Sequence, residues 1–242
     1  MKRFALRQAA LAGLALLLLA LLARTAWTGH VAAAMQERLS ESGRYLKGMV
    51  IVVDPGHGGD DPGAVVGETL EKHIVLDIAK DLKELLEQQG ARVVLTRESD
   101  VSLGGPMREE LGRRVALVRE HKAAAYVAIH ANKDSCNCWG AQTFYQKKGM
   151  PAGKELALAI QGQLRRLTPT TRVALPADYF VLRTSPVPAA MVEVGFLTNA
   201  KEKARLQDPS YQRTVAMAVA LGLADFFKGQ APQANAGGTI GQ

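Results

Sequence analysis

Cysteine is scarce in this chain, and the two that occur are too close together for the usual cysteine sites. Cys136 and Cys138 are the only cysteines among 242 residues, and a single residue separates them. A cysteine zinc site normally has a two-residue spacer and a second pair elsewhere. A disulfide across so short a separation is strained. We therefore predict two loop thiols, with an intermolecular bridge or a local redox switch as the alternative.

Basic charge forms no stripe along the chain, and the few aromatic residues are not interleaved with it. The formal net charge is +7, but Lys2, Arg3, Arg7 and Arg24 all precede the first acidic residue, Glu37. The remainder of the chain is only mildly basic, so the electrostatic footprint of a nucleic-acid-binding protein is missing. We expect no nucleic-acid partner.

The N-terminal segment has the layout of a secretory signal. Basic residues precede an uncharged, leucine-rich run, 9–23, whose fifteen residues are short for a membrane-spanning helix. Trp27 extends the apolar stretch, so a cleaved signal and an uncleaved anchor both remain open. We predict that residues 1–27 are a signal peptide or N-terminal membrane anchor and that residues 28–47 are a linker. The protein is then extracytoplasmic, either exported or held at the membrane.

Beyond residue 48, short apolar runs rich in β-branched residues alternate with segments of helical periodicity. Such alternation is typical of βαβ units, in which helices cover both faces of a parallel sheet. We predict an α/β fold, a mostly parallel twisted sheet with helices on both faces, in a single domain over residues 48–228. The tail 229–242 is predicted to be disordered. The predicted strands are 49–53, 92–96, 125–129 and 189–194.

The clearest helix follows the first strand. Ile74, Ile78 and Leu82 lie four residues apart and form one apolar stripe. Asn199, followed three residues later by Glu202, resembles a capping box at the start of a short helix. Further helices are predicted from near residue 106, over 154–167 and over 209–227.

Four polar residues fall where ligands collect in such folds, at the carboxyl ends of the strands. His57 follows the first strand in a glycine-framed turn, His130 follows the third, and Glu193 lies in the last. Glu71 begins the first helix. Two histidines and a carboxylate with an open fourth position form a common set for catalytic zinc.

Each of these residues also has a purely structural interpretation. His57 could be a turn histidine bonded to backbone, and His130 a strand-end histidine facing solvent. Glu71 could simply be an acid at the N-terminus of a helix, where it is stabilising.

Other residues compete for the carboxylate role. Glu68 follows Gly67 and is expected to lie in a loop, while His73 is turned about 200° away from Glu71 around a regular helix. We therefore prefer Glu71. Asp60 and Asp61 are interpreted as turn-forming residues that could still touch metal or substrate.

Glu193 interrupts an apolar strand, and burial of a carboxylate costs several kcal/mol unless it is paired, coordinated or used. A structural ion pair with Arg183 is one explanation. The other is a general base and acid whose pKa is raised by partial burial towards the working range. No His-Glu-x-x-His motif is present, which excludes the common zinc-peptidase arrangement.

Four segments, taken in order, resemble the zinc-dependent N-acetylmuramoyl-L-alanine amidases. They are 51–59 (IVVDPGHGG), 71–72 (EK), 129–132 (IHAN) and 192–199 (VEVGFLTN). The resemblance covers residues 48–228. It implies a peptidoglycan hydrolase that cuts the amide between N-acetylmuramic acid and the L-alanine of the stem peptide.

The resemblance also implies roles for particular residues. One zinc ion per chain would be held by His57, Glu71 and His130, with Glu193 as the catalytic carboxylate. We add three candidates for substrate binding or for support of the ligands, which are Asp54, Asn132 and Arg183.

The segments 139–145 (WGAQTFY) and 179–183 (YFVLR) are similar to the germination-specific, spore-cortex branch of the family. This implies removal of stem peptides from cortex peptidoglycan, after which a partner polysaccharide deacetylase completes muramic-δ-lactam. It also implies a location in the forespore intermembrane space. Activation by a partner protein is a further hypothesis.

Two other functions are weighed against this one. A catalytically silent peptidoglycan-binding protein of the same fold is disfavoured by Glu193, because such a protein could lose a costly buried acid. A zinc hydrolase of another amide is disfavoured by export and mild positive charge, which suit an anionic wall polymer.

Overall fold

The structure is a computed structural model that describes residues 33–134, 136 and 138–231. The chain divides into two units after Glu41, and the second unit, which begins at Ser42, is called the body. Helix α1 covers 33–42 among the described residues. The predicted signal or anchor, 1–27, lies outside the described residues. None of the helices in the described ranges combines the length and the apolar character needed to cross a bilayer.

The body contains a six-stranded sheet of order β4-β1-β5-β8-β6-β7 and a separate two-stranded hairpin, β2-β3. Four of the five neighbouring pairs in the large sheet are parallel, and β6 is antiparallel to β8. The predicted mostly parallel sheet is therefore confirmed. The strands are β1 Val50–Pro55, β2 Val65–Val66, β3 Thr69–Leu70, β4 Arg92–Leu95, β5 Ala125–Asn132, β6 Gln142–Gln146, β7 Leu175–Ala177 and β8 Ala189–Phe196.

Six helices follow in the body, and they include each helix that periodicity predicts. The last one continues two residues past the predicted domain end at 228. The helices are α2 Glu71–Glu87, α3 Met107–Glu120, α4 Pro151–Leu167, α5 Phe180–Thr184, α6 Ala200–Leu206 and α7 Pro209–Gln230.

Helices cover both faces of the sheet because the strands are apolar on both sides. Helices α2, α4 and α7 pack together on one face, and α3 and α5 pack on the other. The strand side chains alternate between the two layers, so Val52, Tyr126 and Met191 share a buried cluster with α3 and α5. Each fully buried large apolar side chain contributes about 1.5–3 kcal/mol to this packing.

The predicted capping box at α6 is only half formed. The Asn199 side chain accepts hydrogen bonds from the backbone N–H groups of Lys201 and Glu202, as a helix cap should. The Glu202 carboxylate does not return to Asn199. It accepts instead from the backbone N–H of Gly140 at 2.9 Å and of Phe196 at 2.8 Å, and so joins the loop before β6 to the end of β8.

Candidate metal centre

Three residues from separate segments meet at the carboxyl edge of the sheet. The donor atoms of His57, Glu71 and His130 all lie within 4.8 Å of one another. One Glu71 oxygen, Oε1, is 3.2 Å from His57 Nε2 and 3.0 Å from His130 Nδ1. The fold therefore brings together the three residues for which the sequence predicts metal ligation, although they are up to 73 positions apart.

Backbone donors fix the Glu71 carboxylate. Its Oε1 accepts from the Ala131 N–H at 2.9 Å and its Oε2 from the Ala64 N–H at 2.8 Å. These bonds connect the start of α2 to the end of β5 and to the loop before β2. Glu71 is 4% exposed, so its position is set by the fold and not by solvent.

Two glycines make room for the cluster. A Cβ at Gly56 would lie 2.1 Å from the His130 ring, and a Cβ at Gly63 would lie 2.6 Å from Glu71 Oε2. Both distances are far below normal contact, so any side chain at either position would displace a donor. His57 itself has φ 63°, in the left-handed region that few non-glycine residues adopt.

Acidic neighbours make the cluster attractive to cations. Burial by itself would lower the pKa of His57, but the Glu71 and Asp61 carboxylates outweigh it and raise that pKa to about 9. The Asp61 contact joins its Oδ2 to His57 Nδ1 at 2.7 Å. Burial likewise opposes ionisation of Glu71, yet hydrogen bonds from His130 and His57 lower the pKa of Glu71 well below its usual value.

Glu193 stands beside this cluster on the neighbouring strand. It is paired in register with His130 across the parallel β5-β8 ladder. The side chain is 9% exposed, and its Oε2 is buried without a hydrogen-bond partner among the described residues. Burial raises the pKa of Glu193 to about 7, with the negative charge of Glu71 adding to the effect of burial. Such a carboxyl group can both take and release a proton near neutral pH.

A cleft opens above these groups. It has a volume of about 260 Å³, and His57, His130 and Glu193 line it together with the apolar side chains of Met107 and Tyr179. Met107 is 74% exposed, so part of the apolar wall is open to solvent. The cleft therefore opens to solvent beside the buried polar groups.

Arg114, which the sequence interpretation missed, supports the turn that carries His57. Its guanidinium pairs with Asp54 Oδ1 at 2.7 Å and donates to the carbonyl oxygens of Pro55 at 3.0 Å and His57 at 2.7 Å. A second pair, with Glu110 at 2.7 Å, completes its bonding. Arg114 is therefore a positioning residue for the first histidine.

Arg97, which the sequence interpretation also missed, binds the backbone of the same turn. It donates to the carbonyl oxygens of Pro55 at 3.0 Å and Gly56 at 2.8 Å. It also donates to the Lys72 carbonyl at 2.8 Å, which connects the turn to the start of α2. Two buried guanidinium groups thus hold a stretch of backbone whose carbonyls would otherwise lack partners.

Asp54 is the anion that neutralises Arg114. Besides that pair, its carboxylate accepts hydrogen bonds from the hydroxyls of Thr96 and Tyr126. Burial opposes ionisation of Asp54, but the charge of Arg114 and these hydrogen bonds outweigh it and lower the pKa of Asp54. All these partners are protein groups, so its observed role is to support the His57 turn.

Arg183 and Asn132, the two remaining candidates for substrate binding or ligand support, lie in different parts of the structure. Arg183 is half-exposed and pairs with Asp178 at 2.6 Å, and it lines a separate cleft. The structural alternative of an ion pair between Glu193 and Arg183 is therefore wrong. Asn132 ends β5, where its carbonyl accepts from the Leu197 N–H at 2.9 Å.

Glu68 and His73, which competed with Glu71 as metal ligands in the sequence, lie outside the cluster. Glu68 is exposed in the turn between β2 and β3. His73 is 55% exposed and lies 3.4 Å from Asp100. Neither belongs to the cluster formed around Glu71.

The prediction of two free loop thiols is wrong. Cys136 and Cys138 form a disulfide in the loop between β5 and β6. The loop geometry brings the two Cα atoms to 5.1 Å, within the usual range for a disulfide. The separation of two residues does not by itself prevent the bond.

Comparison with known proteins agrees with the fold. Residues 51–225 match the family model described as N-acetylmuramoyl-L-alanine amidase. The germination-specific N-acetylmuramoyl-L-alanine amidase of Bacillus subtilis is 40% identical over 201 residues, which cover 78% of this chain and 84% of that protein.

Solved structures show the same fold. The CwlD amidase from Clostridioides difficile, in complex with the GerS lipoprotein, is 36% identical with a TM-score of 0.70, over 74% of this chain and 98% of that chain. The catalytic domain of CwlV, an N-acetylmuramoyl-L-alanine amidase from Bacillus (Paenibacillus) polymyxa, is 34% identical with a TM-score of 0.68 and the same coverage. The sequence match extends over most of the body, and the chain belongs to the N-acetylmuramoyl-L-alanine amidase family.

Proposed function

We propose that this amidase is a zinc hydrolase in which His57, Glu71 and His130 hold the metal and Glu193 moves the proton. The observation that carries the proposal is the buried Oε2 of Glu193, which has no hydrogen-bond partner in the described part of the chain and lies on the strand next to that of His130. A buried carboxylate without a partner is costly, and it is retained where a reaction uses it.

The donor set fits zinc. Two imidazole nitrogens and one carboxylate oxygen lie within 4.8 Å of one another, and a catalytic zinc site uses three such ligands and leaves one position open. When bound, zinc would supply Lewis acidity that polarises a carbonyl and lowers the pKa of water. The two arginines, acting through the His57 turn, keep one ligand in place before substrate arrives.

Glu193 then serves both halves of the hydrolysis. As a base, its carboxylate takes a proton from the attacking water while a new C–O bond forms at the amide carbon. As an acid, it gives that proton to the departing nitrogen as the C–N bond breaks. The products are the free lactyl carboxylate of N-acetylmuramic acid and a stem peptide with an amino-terminal L-alanine.

A test of the metal and the reaction uses purified protein and insoluble peptidoglycan. We expect new L-alanine amino termini and peptide-free glycan, with both lost after chelation and restored by zinc. His130→Ala should lose zinc and cleavage, whereas His73→Ala, on the same helix as Glu71 but turned to solvent, should keep both. Full cleavage by metal-free protein would contradict the proposal.

We also propose that the substrate is spore-cortex peptidoglycan, where cleavage prepares muramic-δ-lactam formation before germination. The support is the 40% identity to the Bacillus subtilis germination-specific amidase. Expression in a spore-former that lacks its own cortex amidase should restore muramic-δ-lactam to the cortex. Restored vegetative wall turnover with an unchanged cortex would contradict this role.

An extracytoplasmic setting completes the proposal, with the N-terminal segment as export signal or membrane anchor and the forespore intermembrane space as the location. A polysaccharide deacetylase would act on the denuded muramic acid in the next step. An activating partner protein is proposed because the similar CwlD amidase was solved in complex with a lipoprotein. If the purified protein digests cortex peptidoglycan alone at full rate, no activator is needed.

A further inference from the structure

A second cleft lies at the carboxyl edge of the sheet, where it is lined mainly by the segments that follow β5 and β8. Its volume is about 550 Å³, and its lining includes Trp139, Pro169, Lys201 and Arg205. Among the described residues, it shares no lining residue with the cleft of Glu193. The reaction proposed above therefore leaves this cleft without a role.

Trp139 is the exposed aromatic of this cleft. Its side chain is 44% exposed, although a tryptophan usually hides most of its large apolar surface. The chain contains one other tryptophan, Trp27, in the N-terminal segment. A large exposed aromatic in a concave site indicates a binding surface and not a packing surface.

Hydrogen bonds fix the backbone around Trp139, and this holds the exposed indole in a defined position. Arg172 Nε donates to the Trp139 carbonyl oxygen at 2.6 Å, and the Arg172 guanidinium stacks on the Phe196 ring at 4.6 Å. The next residue, Gly140, donates to the buried Glu202 carboxylate. These bonds use the backbone of Trp139 and leave its ring free to contact a ligand.

Positive charge flanks the ring. Lys201 and Arg205 are exposed on α6, and neither forms a salt bridge with a carboxylate of the described chain. Cations beside an aromatic face can hold the carboxylates of a ligand while its apolar face stacks on the ring. The chemistry fits a glycan that carries acidic peptide stems.

The topology places the cleft within reach of the catalytic residues. Trp139 lies in the loop that leaves β5, the strand of His130, and Asn199 lies six residues after Glu193. Six residues of extended chain span at most about 22 Å. Because the two clefts share none of the lining residues that the structure describes, we expect a single disaccharide–peptide unit to occupy the catalytic cleft alone, whereas a longer glycan strand can extend into both.

We infer that the Trp139 cleft is a second binding site for the peptidoglycan strand, which stacks a sugar on Trp139 and places stem-peptide carboxylates near Lys201 and Arg205. The inference rests on the proposed function, because it takes the polymer as the substrate. It assigns the cleft to retention of long strands and leaves bond cleavage to the metal centre.

The test separates polymer binding from chemistry. The purified full chain is assayed for co-sedimentation with insoluble peptidoglycan and, separately, for cleavage of a soluble disaccharide–peptide unit. Trp139→Ala should weaken polymer binding about tenfold, the order of one lost aromatic contact, and leave cleavage of the small substrate unchanged. Trp139→Phe should recover most of the binding.

Reversal of the charge at Lys201 tests the second site independently of Trp139. Lys201→Glu should weaken polymer binding about two- to fivefold, in proportion to an exposed ion pair, and the loss should shrink at high salt. The matched control is Lys80→Glu, on the exposed surface of α2, which should bind as the parent does.

The outcomes are distinguishable. If Trp139→Ala and Lys201→Glu bind peptidoglycan as tightly as the parent, the second site is overturned whatever the enzyme cleaves. An equal loss of small-substrate cleavage in Trp139→Ala would also overturn it, since the residue would then belong to the catalytic cleft. Failure of the zinc-loaded parent to release stem peptides from any peptidoglycan substrate, with or without an activating partner, would instead contradict the proposed function.

Discussion

Two buried carboxylates on the same layer of the sheet have opposite surroundings. Asp54 at the end of β1 is 2% exposed, and Glu193 on β8 is 9% exposed. Asp54 receives hydrogen bonds from Thr96, Arg114 and Tyr126, whereas one oxygen of Glu193 has none among the described residues. The two carboxylates are buried to a similar extent, but their hydrogen-bond partners differ.

The partners decide what each acid can do. The pKa of Asp54 is lowered despite burial, mainly by the Arg114 charge, so Asp54 stays ionised and holds a guanidinium in place. Burial raises the pKa of Glu193 to about 7, so the group can exchange a proton near neutral pH. The comparison indicates that a buried acid with hydrogen-bond partners stabilises the structure, while a buried acid that lacks them is a candidate for proton transfer.

The largest expected effect is on cleavage by Glu193→Gln. Removal of the proton carrier should reduce turnover about 10²–10⁴-fold, the usual contribution of general acid–base catalysis. Zinc content should not change, because the glutamine leaves the three proposed ligands intact. Glu68→Gln, in the exposed turn of the β2-β3 hairpin, is the control. Peptide release from peptidoglycan measures the effect, and undiminished release would remove Glu193 from the mechanism.

The next effect is on stability, at Asp54. Asp54→Asn removes the charge that neutralises buried Arg114 and should lower the free energy of unfolding by about 3–5 kcal/mol. Denaturant unfolding monitored by circular dichroism would measure it. Asp178→Asn breaks an Arg–Asp pair of similar length at the exposed surface and should change stability little. Equal effects of the two variants would mean that burial of the pair is unimportant.

A third prediction concerns the pH dependence of the same two positions. The pKa of Glu193 rises on folding from 4.5 to about 7, so the folded state favours the protonated acid. Stability is therefore lost as pH rises through this window, by about 3 kcal/mol above pH 7. Glu193→Gln in metal-stripped protein should be more stable than the parent at pH 8 and equal to it below pH 4.5.

Asp54 should behave in the opposite sense, because its folded pKa is depressed. Its contribution to stability is present at neutral pH and is lost on acidification below its ordinary pKa. Thermal unfolding across pH therefore distinguishes the two acids. A Glu193→Gln protein that gains nothing at pH 8 would show that the carboxyl group is solvated in solution.

The smallest effect is expected from one hydrogen bond. Tyr126→Phe removes the hydroxyl that donates to Asp54 and should cost about 2 kcal/mol, typical of a bond to a charged group. Tyr45→Phe, at the surface beside Arg44, should be neutral within error. Unfolding free energies of the two variants provide the measurement, and a neutral Tyr126→Phe would mean that Arg114 and Thr96 suffice to satisfy Asp54.

The central strands could be predicted from sequence because their chemistry is unambiguous. β1, β5 and β8 are runs of small and β-branched apolar residues that suit only a sheet covered on both faces. The apolar stripe of α2 likewise requires a helix against that sheet. From these elements, the rule that ligands gather at the carboxyl ends of the strands leads to His57, His130 and Glu193.

The supporting residues could not be found in the same way. Arg114 lies three residues after Leu111 and four before Val118, so it shares the inward stripe of α3, and this spacing was the one available signal. Its target is backbone 57 residues earlier, which only the assembled fold reveals. Strands β6 and β7 were missed because their short, half-exposed stretches lack a strong pattern.

The Cys136–Cys138 disulfide makes the protein sensitive to the redox state of the compartment that contains it. Such bonds form and persist in oxidising compartments, whereas cytosolic thiols are kept reduced. Alkylation of the intact protein therefore reports the compartment from which it is purified: we expect two alkyl groups per chain from a reducing compartment and none from an oxidising one.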